Sequence, residues 1–163
     1  MRLPTLILAA ALLSTGLGHV VPATTAVAAG YELNLDQAGL AIHGYDPVAY
    51  FTDGAAIEGK ADITAEHNGA TYRFASAEHR SQFLADPEKY LPQYGGYCAY
   101  GTSVGKKFNG DPTAWRVVDG KLYLNLSADV QRKWLEDVSG RITEANKKWL
   151  TIMDKSPESV NGQ

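Results

Sequence analysis

The dipeptide Asn68-Gly69 constrains this chain more than any other feature. Two adjacent residues that accept positive φ favour the tight turn whose twist matches a β-hairpin, and segments 61–67 and 70–75 flank it with strand-forming residues. A second such turn, Asp119-Gly120, lies between Trp115-Arg116-Val117-Val118 and Leu122-Tyr123-Leu124-Asn125-Leu126. Two hairpins therefore frame the chain, and everything else must pack on them.

Helix signals fill the intervals. Asp46-Pro47 reads as an N-cap followed by proline in the first turn, opening a short helix through Val48-Ala49-Tyr50-Phe51. Ser76 caps a helix over 77–85 that Asp86-Pro87 stops, and Ser127 caps another that Gly140 is expected to end. A last helix carries Ile142, Ala145, Trp149, Leu150 and Ile152, so the C-terminal part is a helical pair. Tyr94-Gly95-Gly96-Tyr97-Cys98 is expected to begin a short helix that carries Cys98, its glycines letting the backbone pass close to other elements. Short antiparallel hairpins packed with short helices make an α+β domain. No internal repeat of sequence is convincing.

The N-terminus has a different character. Arg2 is the only charge before Glu32, and between them lie the apolar run Leu6–Leu13 and then Ala26-Val27-Ala28-Ala29. A basic start, a short apolar core and a small-residue site are the order of a secretory signal peptide. The strictly apolar run is far shorter than the roughly 20 residues a bilayer needs, which disfavours a retained span. Cleavage after Ala28 would send the remainder to the periplasm or outside the cell, with no stable membrane insertion. The expected organisation is a signal peptide over 1–28, one domain over 30–154 and a disordered polar tail over 155–163.

The charges, 15 basic and 18 acidic, are scattered apart from Lys106-Lys107 and Lys147-Lys148. No basic stripe is present, which argues against nucleic acid as a partner. There is no His-Glu-x-x-His, no phosphate-cradling glycine loop and no Ser/His/Asp grouping, so the reading leans away from an enzyme. One cysteine, Cys98, cannot form an internal disulfide. It is a buried inert thiol, an intermolecular bridge, or a thiolate used for metal or redox chemistry.

Gly44-Tyr45-Asp46-Pro47-Val48-Ala49-Tyr50-Phe51, then Asn68-Gly69-Ala70-Thr71-Tyr72-Arg73-Phe74-Ala75-Ser76, then Phe83, Pro87 and Tyr90, resemble the YHS domain. The continuation through Tyr94-Gly95-Gly96-Tyr97-Cys98-Ala99, Asp111-Pro112, Trp115 and Gly120–Asn125 resembles the longer exported subfamily of YHS domain-containing proteins. The resemblance covers about residues 40–150 and implies a metal-binding module. In metal-binding relatives cysteines sit where this chain has Ala49, Ala75 and His79. A cysteine-rich site is therefore not carried over.

What the resemblance leaves is His79 at one ligand-like position and Cys98 from the Tyr-Gly-Gly-Tyr-Cys segment, with His43 as a third candidate. Thiolate and imidazole suit borderline-soft ions, copper first and zinc or iron next. His79 also reads as a half-buried helix residue, and His43 and His67 as solvated loop and turn residues. The first expectation is an exported domain that binds or handles a transition metal ion, alone or with a metal-handling protein. The alternative is a module without metal that engages a protein or small ligand and keeps Cys98 buried and slow to react. A redox-active or dimer-forming thiol is the third.

Overall fold

The structure, a computed structural model, describes residues 30–162; the leader expected over 1–28 lies outside the described residues. The architecture is α+β, with two separate two-stranded antiparallel sheets and seven helices among the described residues. Strands β1 (Lys60–His67) and β2 (Ala70–Phe74) form the first hairpin, and β3 (Asp111–Val118) and β4 (Lys121–Asn125) the second. Asn68 and Gly69 have φ of 50° and 79°, and Asp119 and Gly120 of 49° and 71°, as a two-residue turn with both positions left-handed requires.

The helices are α1 (Ala49–Thr52), α2 (Ala77–Ala85), α3 (Pro87–Tyr90), α4 (Ala99–Ser103), α5 (Ala128–Leu135), α6 (Val138–Ile152) and α7 (Pro157–Asn161). Ser76 Oγ accepts from His79 N at 3.1 Å and Ser127 Oγ from Val130 N at 3.3 Å, so both expected caps form. One core gathers Val48, Tyr50, Tyr72, Phe74, Phe83 and Tyr90 with Leu122 and Leu124 of the other hairpin. A second joins Tyr94, Ala99, Tyr123, Trp134 and Ala145. No described helix is long and apolar enough to cross a membrane.

The chain builds one structural unit twice, although no internal repeat of sequence is convincing. Each unit opens on a left-handed 3₁₀ turn, at Ile42–Gly44 and again at Gln93–Gly96. Tyr45 then bridges to Glu58, as Tyr97 does to Asn109. A short helix follows, α1 or α4, and then a hairpin with an eight-residue first strand and a five-residue second. Both hairpins carry an irregularity in the same place, between Lys60 and Thr64 and between Asp111 and Trp115. Parallel bridges Leu40–Thr71 and Pro92–Leu122 tie each entry segment to its own hairpin, and a serine-capped helix closes each unit. The sequence trace is thin but consistent: Gly44-Tyr45 and Gly96-Tyr97, Tyr72 and Tyr123, Ser76-Ala77 and Ser127-Ala128, Phe83-Leu84 and Trp134-Leu135. Most other positions differ because each unit packs a different flank.

Three expectations need correction. Cys98 does not ride inside a helix begun at Tyr94; the left-handed turn intervenes, and Cys98 is the N-cap of α4. Gly140 does not end α5, because Asp137 Oδ1 accepts its amide at 3.0 Å and caps α6 instead. The tail expected to be disordered from Lys155 on forms α7, which Ser156 caps and in which Val160 is buried. Asn161 holds that helix by accepting from Lys107 N at 2.9 Å and donating to Lys107 O at 2.7 Å.

Candidate functional site

Asp46 is fully buried, and four donors converge on it. Oδ1 accepts the amides of Val48 (2.8 Å) and Ala49 (3.4 Å), while Oδ2 accepts Ala75 N (2.8 Å) and pairs with His79 Nδ1 (2.7 Å). The carboxylate therefore starts α1 and pins it to the end of β2 and to α2. A carboxylate only accepts, so Nδ1 carries the proton in this bond, and it is Nε2 that bears the lone pair when the ring has a single proton. That nitrogen lies 3.4 Å from Thr52 Oγ1 and 3.4 Å from Asp53 Oδ2, near the surface.

The repeated unit explains Cys98. It occupies in the second unit the place Asp46 has in the first. Its sulfur accepts the Gly101 amide, the counterpart of the Ala49 amide on Asp46, while the Tyr100 amide donates to Asn125 Oδ1 at 3.3 Å. Gly101 N lies 3.3 Å from Sγ, and the thiol donates to Asn125 Oδ1 at 3.9 Å. Cys98 is 1% exposed, and burial, outweighing the Gly101 amide, pushes its thiol above the ordinary value. The position of His79 is taken in the second unit by Val130, so nothing there corresponds to an imidazole on the capping side chain.

The sequence-derived candidates are thus scattered. His79 sits with Asp46, Thr52 and Asp53; Cys98 caps α4 in the other unit; His43 is exposed in the left-handed turn, with φ 50°. Among the described residues no three His, Cys, Asp or Glu side chains are grouped to hold a metal ion. Asp46, read from sequence only as a helix cap, is also the partner of His79. Nothing in a linear reading pairs two residues so far apart.

A groove of about 530 Å³ is the second site, and residue types alone did not reveal it. It opens where segments outside the matched parts of the two units close over their junction. The N-terminal arm contributes Leu33 and Leu35, the junction Leu91, Pro92 and Tyr94, α6 Trp149 and Leu150, and its C-cap Met153. Hydrogen bonds hold the arm: Asn34 N donates to Gly95 O (2.9 Å), Asn34 Nδ2 to Gly96 O (3.1 Å) and Tyr97 Oη to Leu33 O (3.3 Å). Gly95 must be glycine, because its φ is +61° and a Cβ there would lie 1.8 Å from Glu32 O. On the far wall Tyr94 Oη donates to Asn146 Oδ1 at 2.9 Å, joining the junction to α6. Comparison with known proteins gives no match to a family model, a curated protein or a solved structure.

Proposed function

We propose that this protein is a binding module that takes a small ligand in the groove between its N-terminal arm and α6. The observation that carries the reading is the groove itself: its volume suits a compact organic ligand, its walls are mostly apolar, and a few polar groups lie at its edge. The burial of Cys98 supports the same reading, since a thiol that caps α4 and accepts the Gly101 amide is accounted for by the fold. Export by a leader at the N-terminus remains part of the proposal and places the ligand outside the cytoplasm.

Leu150, 76% exposed, forms the open wall and can be changed without disturbing the core. The neutral fluorophore N-phenyl-1-naphthylamine should bind the protein saturably, and Leu150→Arg should weaken it at least tenfold. Binding that Leu150→Arg leaves intact, or no binding at all, would remove the groove as the site.

A second reading keeps the metal, and the Asp46–His79 bond favours it. A carboxylate that fixes Nδ1–H is the usual support of an imidazole that ligates through Nε2. With the Asp53 carboxylate this fits two positions of a copper, zinc or iron site, the rest falling to water or to a metal-handling partner. The buried Cys98 and the exposed His43 have no part in it. Calorimetric titration with Cu²⁺ and Zn²⁺ should then give binding that His79→Gln abolishes and Cys98→Ser leaves unchanged; the opposite pattern would refute this reading.

A further inference from the structure

We infer that the groove selects a cationic amphiphile, an apolar alkyl or aryl body ending in a protonated amine. This rests on the groove being a ligand site and names the class of ligand. Of the residues that line it only Glu32 and Glu88 are charged, both are acidic, and no Lys, Arg or His is among them. The two acidic residues come from different segments, Glu32 from the N-terminal arm and Glu88 from α3. Between them the walls are hydrocarbon and aromatic: Leu33, Leu35, Leu91, Tyr94, Trp149 and Leu150.

Two basic side chains stand behind the lining: Lys107, whose amine lies 5.1 Å from the centre of the Trp149 ring and interacts with Glu32, and His67, which meets Glu88 itself. Lys107 places its amine on three backbone carbonyls, at 2.6–2.8 Å, and is not part of the lining. His67 Nε2 meets Glu88 Oε1 at 3.1 Å and is likewise outside the lining. An anion entering the groove would meet two acidic residues and no basic residue in the lining itself. An ammonium would be drawn by both carboxylates and by the ring of Tyr94, whose quadrupole attracts a cation, while the Trp149 ring already carries the Lys107 ammonium. The apolar body would be held by burial against the leucines whatever its head group.

The test uses three ligands of one chain length below their micelle concentrations at pH 7: decylamine, decanol and decanoate, each read by displacement of N-phenyl-1-naphthylamine. Decylamine should bind at least tenfold tighter than decanoate, with decanol between them. In Glu32→Gln/Glu88→Gln the three affinities should come within about threefold of one another, as expected when the opposing charges are gone. Raising the salt concentration should weaken decylamine and spare decanol. Equal affinities for all three in the unmodified protein, or a preference for decanoate, would overturn the cationic selection while leaving the groove as a ligand site. Failure of all three, together with failure of the fluorophore, would take both readings down.

Discussion

At Asp46 and Cys98 the same structural place is filled by a carboxylate and by a thiol, and the two differ in what they hold. Three amides converge on Asp46 and the Gly101 amide on Cys98, so each side chain starts a short helix. Each is tied to the following hairpin, Asp46 through Ala75 N and Cys98 through Asn125. Only the carboxylate also holds an imidazole. A thiol kept neutral by burial should not react: Cys98 is expected to resist a thiol reagent at pH 7.5 in the folded protein and to react fully in denaturant. Its pKa is raised in the folded state, so the folded form holds its proton after the unfolded chain begins to lose it near 9.0. The contribution of Cys98 to stability is then complete below that pH and declines above it. Denaturant unfolding of the protein and of Cys98→Ser should show a gap between them that is constant from pH 7 to 8.5 and shrinks by pH 10. A gap that widens would mean that the thiol is ionised in the fold. The sequence singled out Cys98 and His79 because their residue types suit metals. It could not show that one was a cap, since that depends on the Gly101 amide of α4 and on the Asn125 side chain brought from β4.

Among the elements, those written in local chemistry were legible and those written in contacts between distant segments were not. Asn68-Gly69 and Asp119-Gly120 specify their turns within two residues, and Ser76 and Ser127 their helix starts within four. Ser156-Pro157 carries a helix-start signal of the same kind, yet the polar composition around it reads as a disordered tail. Gly140 reads as a stop because glycine commonly follows helices, but Asp137 three residues earlier makes it the start of the next one. The 3₁₀ turn at Gln93–Gly96 was invisible for a different reason. Tyr94 takes φ of 55° there, a conformation its side chain does not favour, and tertiary contacts hold it. Gly95 marks the closest of those contacts. Gly95→Ala should cost about 3 kcal/mol, combining a left-handed non-glycine residue with overpacking against the arm. Hydrogen exchange should show the loss concentrated at residues 31–35, with the β1–β2 hairpin unchanged. Equal protection of the arm in both proteins would show that the close approach at Gly95 does not hold it.

At the scale of the whole molecule, one side chain ties both ends of the described chain to its middle. Lys107 is 1% exposed, and its amine donates to the carbonyls of Tyr31 (2.6 Å), Met153 (2.8 Å) and Lys155 (2.8 Å). The ammonium also lies 4.9 Å from the centre of the Tyr97 ring and 5.1 Å from that of Trp149. Burial pulls its pKa down to about 8, still above neutrality, so the group is charged at pH 7 and all three protons have acceptors. The arm that bounds the groove and the segment leading into α7 are therefore held by the same charge. Lys107→Met keeps most of the volume but leaves three carbonyls without a donor, and these regain partners only by opening to water. A loss of about 3 kcal/mol is expected, of the size seen when buried charged partners are removed. Lys107→Arg should not restore it, because a planar guanidinium cannot aim three donors as a tetrahedral ammonium does. The measurement that separates a clamp from ordinary core packing is regional. In Lys107→Met, hydrogen exchange should rise at residues 31–35 and 153–161 together, and binding in the groove should weaken, while β1–β4 keep their protection. Opening of one end without the other would mean that the two termini are held independently. A uniform loss across the hairpins would mean that Lys107 supports the core rather than the ends.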